Sequence, residues 1–188
     1  MHYCILVITK EFPTDEVIWK VMEPYSEEDF YDEDGDAKSE VYPQFLWDFY
    51  RLGGRYCGKI KLRINKEDET YNWGFYAKDN RSSCLFRSML LENCVSKKII
   101  CFEEDYYPYI GYEDGYIRVD GAKIKDIIDF EDLALNHNWG FIGKDGEAYS
   151  RSYWNGNDFV DDEHYEDHVK SAIQDVDDCY ACIIDIHD

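Results

Sequence analysis

One stretch restricts the fold of this chain more than any other: Trp47-Asp48-Phe49-Tyr50-Arg51-Leu52-Gly53-Gly54-Arg55-Tyr56-Cys57-Gly58. Four of its twelve residues are aromatic, and aromatic side chains bring large apolar areas that must be covered. Asp48, Arg51 and Arg55 set charges directly beside that apolar material, and a buried charge needs a partner. Gly53-Gly54 allows positive φ or a close approach by another segment. A stretch of this kind either knits a core together or floors a pocket. Asp48, Tyr50, Gly53, Gly54 and Arg55 are the ligand-binding candidates. The turn could cradle an anion with backbone N–H groups and a guanidinium. Alternatively it is a structural turn with Arg55 paired to a carboxylate. It is not a P-loop, because the lysine-serine/threonine end is missing.

The two ends of the chain supply the sheet. Tyr3-Cys4-Ile5-Leu6-Val7-Ile8 is almost continuously apolar and rich in β-formers, as in a central strand buried on both faces. Cys179 to Ile186 is a second such run. Two apolar end strands are expected to lie together in one sheet. Between them, Lys59 to Ile64 alternates strictly, and Tyr116 to Gly121 alternates more loosely, both as strands. Lys97 to Phe102 reads as another strand. Helical spacing marks Val17, Ile18, Val21 and Met22, with Thr14 or Asp15 as cap. It also marks Ser83 to Ser96 and Asp161 to Val176, and Ala122 to Asp132 is a short helix or a turn-bearing connection. The expected fold is one α+β domain over residues 1–188, a largely antiparallel sheet with adjacent terminal strands and two or three short helices packed on it. A local echo relates 72–79 to 138–145, with six of eight positions identical. Two strand-then-turn units sharing one local solution, or an internal duplication, both account for it.

Charge narrows the function. The chain carries 41 acidic against 20 basic residues, a net of −21. Its 17% aromatic content argues for a folded rather than a disordered acidic chain. Such a surface repels nucleic acid and anionic membranes and favours a partner with a basic surface. The partner-binding candidates are Glu27, Glu28, Asp29, Asp32, Glu33, Asp34 and Asp36 in one segment, and Asp161, Asp162, Glu163, Glu166 and Asp167 in another. Seven cysteines without framework spacing, and the lack of a signal-like apolar run, point to free thiols in a reducing cytoplasm.

Three motifs bear on chemistry. Asp185-Ile186-His187 puts a carboxylate and an imidazole on one face of a strand, where they can act as an oriented base with Arg55 holding an anion nearby. A simply hydrogen-bonded terminus is the plainer reading. Cys179-Tyr180-Ala181-Cys182 has C-x-x-C spacing, but no second pair completes a zinc site, and positions three apart on a strand face opposite ways. Asp32 to Asp36 begins like a calcium loop but has glycine at the fourth position and Pro43 at the twelfth. No metal and no cofactor are expected.

The chain resembles a family of small, mostly uncharacterised phage and bacterial proteins. The likeness rests on a W-D-[WFY]-Y-x-x-G-G-R-[WFY] core, here Trp47 to Tyr56, and on a closing D-x-H, here Asp185 to His187. Asp126 to Asp129, Asp145-Gly146 and Tyr153 to Gly156 follow in similar order. Trp154-Asn155-Gly156 departs from the tryptophan pair that precedes glycine in the family. The resemblance implies a phage or prophage origin and carries no activity. By analogy with anti-CRISPR proteins and other acidic DNA mimics, the expected function is inhibition of a host nucleic-acid-binding protein, such as a CRISPR effector nuclease, inside the infected bacterial host. The alternative is a small enzyme or ligand-binding protein with a pocket at Arg55, Asp185 and His187.

Overall fold

A computed structural model describes residues 1–39, 43–56, 58–63, 73–77, 86–90, 112–113, 116–155 and 157–187. The fold is α+β, with a mixed and mostly antiparallel sheet. β1 (His2–Thr9) and β13 (Tyr180–His187) lie side by side, antiparallel, in unbroken register from His2 opposite His187 to Thr9 opposite Tyr180. Around them the main sheet runs β10-β9-β1-β13-β8-β4-β5, with β2 also on β13. These outer strands are β2 (Phe49–Leu52), β4 (Trp73–Ala77), β5 (Phe86–Leu90), β8 (Gly121–Lys123), β9 (Gly140–Ile142) and β10 (Ala148–Ser150). β9 runs parallel to β1, the one parallel strand pair among the described residues.

The continuous apolarity of β1 follows from cover on both sides. Cys4, Leu6 and Ile8 face one core, with Ile183, Phe141, Tyr165 and Val169. Ile5 and Val7 face the other, with Ile184, Ile186, Trp47 and Tyr50. α1 (Asp15–Met22) covers the second face through Ile18 and Met22, capped by Thr14 Oγ1, which accepts from Val17 N–H. α3 (Phe130–Asn136) and α4 (Tyr165–Ala172) cover the first. The short α2 (Glu27–Phe30) follows α1. Four α-helices therefore stand among the described residues, against two or three expected.

Beside the sheet, β3 (Ile60–Arg63) pairs with β7 (Tyr116–Val119), which pairs with β6 (Tyr112–Glu113), and β11 (Ser152–Trp154) forms a hairpin with β12 (Phe159–Asp161). The helix expected over Ser83 to Ser96 is corrected. Phe86–Leu90 is a strand whose backbone pairs with β4 along its whole length, and a short apolar run does not by itself separate buried helix from strand. Ala122 to Asp132 divides into β8, a 3₁₀ turn at Ile124–Asp126 and the start of α3. The strand expected at Lys97 to Phe102 lies outside the described residues. Both echo segments contain the first strand of an antiparallel pair, β4 with β5 and β9 with β10.

Candidate functional site

β13 changes neighbour halfway along. Tyr180 to Cys182 pair with β8, and Ile184 to His187 pair with β2. At the changeover Ile183 donates its N–H to Asp120 O and accepts from Gly53 N–H. Chain leaving β2 here must turn at once over the sheet. Gly53 and Gly54 do this with φ of +68° and +51°, a region that costs a side-chain-bearing residue about 1–3 kcal/mol. Both also lie against carboxylates. A Cβ on Gly53 would sit 2.8 Å from Asp120 Cγ, and one on Gly54 would sit 2.3 Å from Asp185 Cβ.

Two buried aspartates thus clamp the turn. Asp185, 3% exposed, accepts Arg55 N–H at Oδ2 over 2.9 Å. Asp120, fully buried, accepts Gly58 N–H at Oδ1 over 2.7 Å. The turn's amides therefore satisfy the protein's own carboxylates and the Ile183 carbonyl. The Arg55 side chain is exposed, and its guanidinium makes no ion pair among the described residues.

The open end of this sheet face is polar. Register sets His2, His187 and Phe49 in one row and Cys4, Asp185 and Arg51 in the next. His2 Nδ1 lies 2.9 Å from Asp185 Oδ1. His187 Nδ1 lies 2.9 Å from Oδ1 of Asp48, which precedes β2. The two imidazoles meet edge to face, 4.9 Å between centroids. Tyr56 donates its hydroxyl to His2 O. Lys59 Nζ lies over the Tyr56 ring and 3.3 Å from Cys4 Sγ. Burial pushes the Cys4 thiol up to about 11, although Lys59 pulls the other way. Arg51 packs its guanidinium on Phe49, and its buried Nε has no hydrogen-bond partner among the described residues.

Each imidazole therefore has Nδ1 tied to a carboxylate, which orients the ring and leaves Nε2 for proton exchange. The two rings belong to a surface cluster that also holds Lys59 and Arg51. Chemically it can bind a polar ligand and move a proton.

Of the residues that sequence reasoning named, Asp48 meets the His187 ring, and Asp185 meets Arg55 through the Arg55 backbone N–H and not through its guanidinium. Tyr50 stands apart, buried on the opposite face against Trp47 and Trp19. His2 and Asp120 were missed. His2 has a findable signal, since it opens the strand that must pair with the D-x-H segment. Asp120 has none, because its partner Gly58 is 62 residues away.

The acidic candidates divide by face. Glu28, Asp29, Asp32, Glu33, Asp34 and Asp36 are exposed in and after α2, while Glu27 is half-buried. Asp161, Glu163, Glu166 and Asp167 are exposed, and Asp162 is half-buried, before and within α4. α2 follows the helix on the Trp47 face and α4 packs on the Phe141 face. Several have internal duties. Asp32 accepts the N–H groups of Asp34 and Asp36, Asp162 accepts that of His164, and Glu166 pairs with Lys170. Cys179 and Cys182 are free, buried thiols in different cores. Among the described residues no cluster of three His, Cys, Asp or Glu is placed to hold a metal, and no helix is long and apolar enough to cross a membrane. Comparison of the chain with known protein families, curated proteins and solved structures finds no match.

Proposed function

We propose that the chain is a small ligand-binding protein or enzyme that uses the His2–His187 pair for acid–base chemistry on a molecule bearing an anionic group. One observation carries this reading: two imidazoles, each oriented by its own carboxylate, in contact on a partly open surface. In such a pair one ring can take a proton while the other gives one. Arg51, Arg55 and Lys59 offer local positive charge for the ligand's anion in an otherwise acidic molecule. The thiol of Cys4, held protonated, is not the nucleophile.

The test is a thermal-shift and NMR screen with inorganic phosphate, acetate and nucleoside monophosphates. Stabilisation by one of these should move the imidazole signals of His2 and His187 together. It should vanish in His187→Gln, a substitution at the half-buried last position of β13. A panel that moves neither Tm nor imidazole signals removes the reading.

A second reading is favoured by the net charge of −21: a phage-encoded acidic inhibitor that occupies a basic nucleic-acid-handling surface of a host defence protein, as anti-CRISPR and DNA-mimic proteins do. Ten of the twelve candidate carboxylates named above are exposed. A pull-down from nuclease-treated bacterial lysate tests it. Recovery of a nucleic-acid-handling protein at low salt, lost at high salt, supports it, and recovery of nothing at either salt counts against it.

A further inference from the structure

On the sheet face opposite the imidazole pair, an open cleft of about 240 Å³ lies between α2, the 43–46 segment and the β11–β12 hairpin. Tyr3, Phe45, Trp139, Trp154 and Phe159 line it together with Glu27. Tyr3 stacks on Trp139 at 4.2 Å, and Phe45 lies 6.3 Å from the same indole. Across the cleft Trp154 and Phe159 hold each other edge to face at 5.4 Å, although 37% and 65% exposed. Two large aromatics held this far into water, on a hairpin with little core beneath it, are a surface built for contact.

We infer that this cleft receives an arginine side chain from a basic protein segment. Aromatic faces carry negative potential and attract cations, and a guanidinium both stacks on indole and pairs with carboxylate. Glu27 supplies a carboxylate in the wall. The two elements that flank the cleft are acidic: Glu28 and Asp29 on α2, and Asp158 and Asp161 in the hairpin, are exposed. The same aromatic faces could stack a nucleobase, but a nucleotide brings phosphate toward a molecule of net charge −21. The inference deepens the inhibitor reading by naming the partner side chain that is gripped, and its test needs no partner, so the two can fail separately.

The full chain, ¹⁵N-labelled at its tryptophans, is titrated with N-acetyl-arginine amide, N-acetyl-citrulline amide and tetramethylammonium chloride at matched ionic strength. Arginine amide should shift the Trp139 and Trp154 indole signals saturably, at least fivefold tighter than its neutral isostere citrulline. Trp139→Phe and Trp154→Phe assign those signals. Glu27→Gln should weaken arginine binding threefold or more, and Phe159→Ser, at a position already exposed, should do the same. Equal response to arginine and citrulline, tighter response to tetramethylammonium, or no saturable shift at these two indoles overturns the inference.

Discussion

Replacing Asp185 by asparagine keeps the side chain's shape and removes its charge, which separates its two duties. Its Oδ2 holds the Arg55 amide and its Oδ1 the His2 ring. Hydrogen bonds to a charged group are worth roughly 1.5–3 kcal/mol, and a poorly paired buried group costs a similar amount. Asp185→Asn should therefore lower unfolding free energy by about 2–3 kcal/mol in urea titration, whereas Asp48→Asn, at a carboxylate 48% exposed, should cost less than about 1 kcal/mol. Equal losses would mean that Asp185 is no more than a surface partner of His2. Cys4, beside Asp185 in the register, gives a second check at this scale. With its thiol pushed up to about 11 by burial, it is protonated at pH 8, and only the thiolate alkylates readily. Peptide mapping after iodoacetamide treatment at pH 8 should find Cys4 and the buried Cys182 unmodified in the folded protein and both modified in urea. Rapid labelling of Cys4 in the fold would mean that Lys59 activates it.

At the scale of elements, the Gly53–Gly58 turn joins the site to the sheet. Gly54→Ala combines a left-handed backbone with a Cβ placed on Asp185. Backbone strain and overpacking together should cost about 2–4 kcal/mol and should broaden the His2 imidazole signal, because Asp185 must move to make room. Gly35→Ala, also at positive φ but in open space, should cost no more than the strain, about 1–3 kcal/mol. The importance of this turn was legible in the sequence, since two glycines among aromatics and charges have few structural uses. The pairing of the end strands was legible too, because both are too apolar to sit anywhere but the centre of the sheet. The partner of the turn was only half legible. Asp185 came from its spacing to His187, but Asp120 reaches the turn through the switch from β8 to β2 along β13, a tertiary event without a local pattern. Tyr50 was placed at the site by proximity in sequence, yet β2 alternates and turns it to the opposite core. Phe86–Leu90 carries helical spacing, yet it forms a strand because long-range contact with β4 overrides that local signal.

For the whole molecule, charge and burial set opposite responses to solution conditions. A net charge of −21 makes the folded chain repel itself, and salt screens that repulsion. Raising sodium chloride from about 0.05 to 0.5 M should therefore raise Tm, where a gain of about 1 kcal/mol corresponds to about 2–4 °C at this size. Alkali acts the other way through buried acids. Burial raises Cys4 to about 11 and Tyr165 to about 12, and raises Cys182 further still. In each case the fold holds the neutral form and the unfolded chain ionises first. Their contribution is whole below the unfolded value, near 9 for a thiol and 10 for a phenol. It is lost as pH climbs through the folded value, because protons then leave the unfolded state but not the folded one. Cys4 alone accounts for an effect of the order of 2 kcal/mol by pH 11. Urea midpoints should be flat from pH 7 to 8.5 and fall steadily from pH 9 to 10.5. Cys4→Ala should reduce the slope of that fall, even though the smaller side chain lowers stability at pH 7. A midpoint that fell at the same slope in wild type and Cys4→Ala would mean that the thiol beside Asp185 is open to water, and that the polar end of the sheet is wetter than its packing implies.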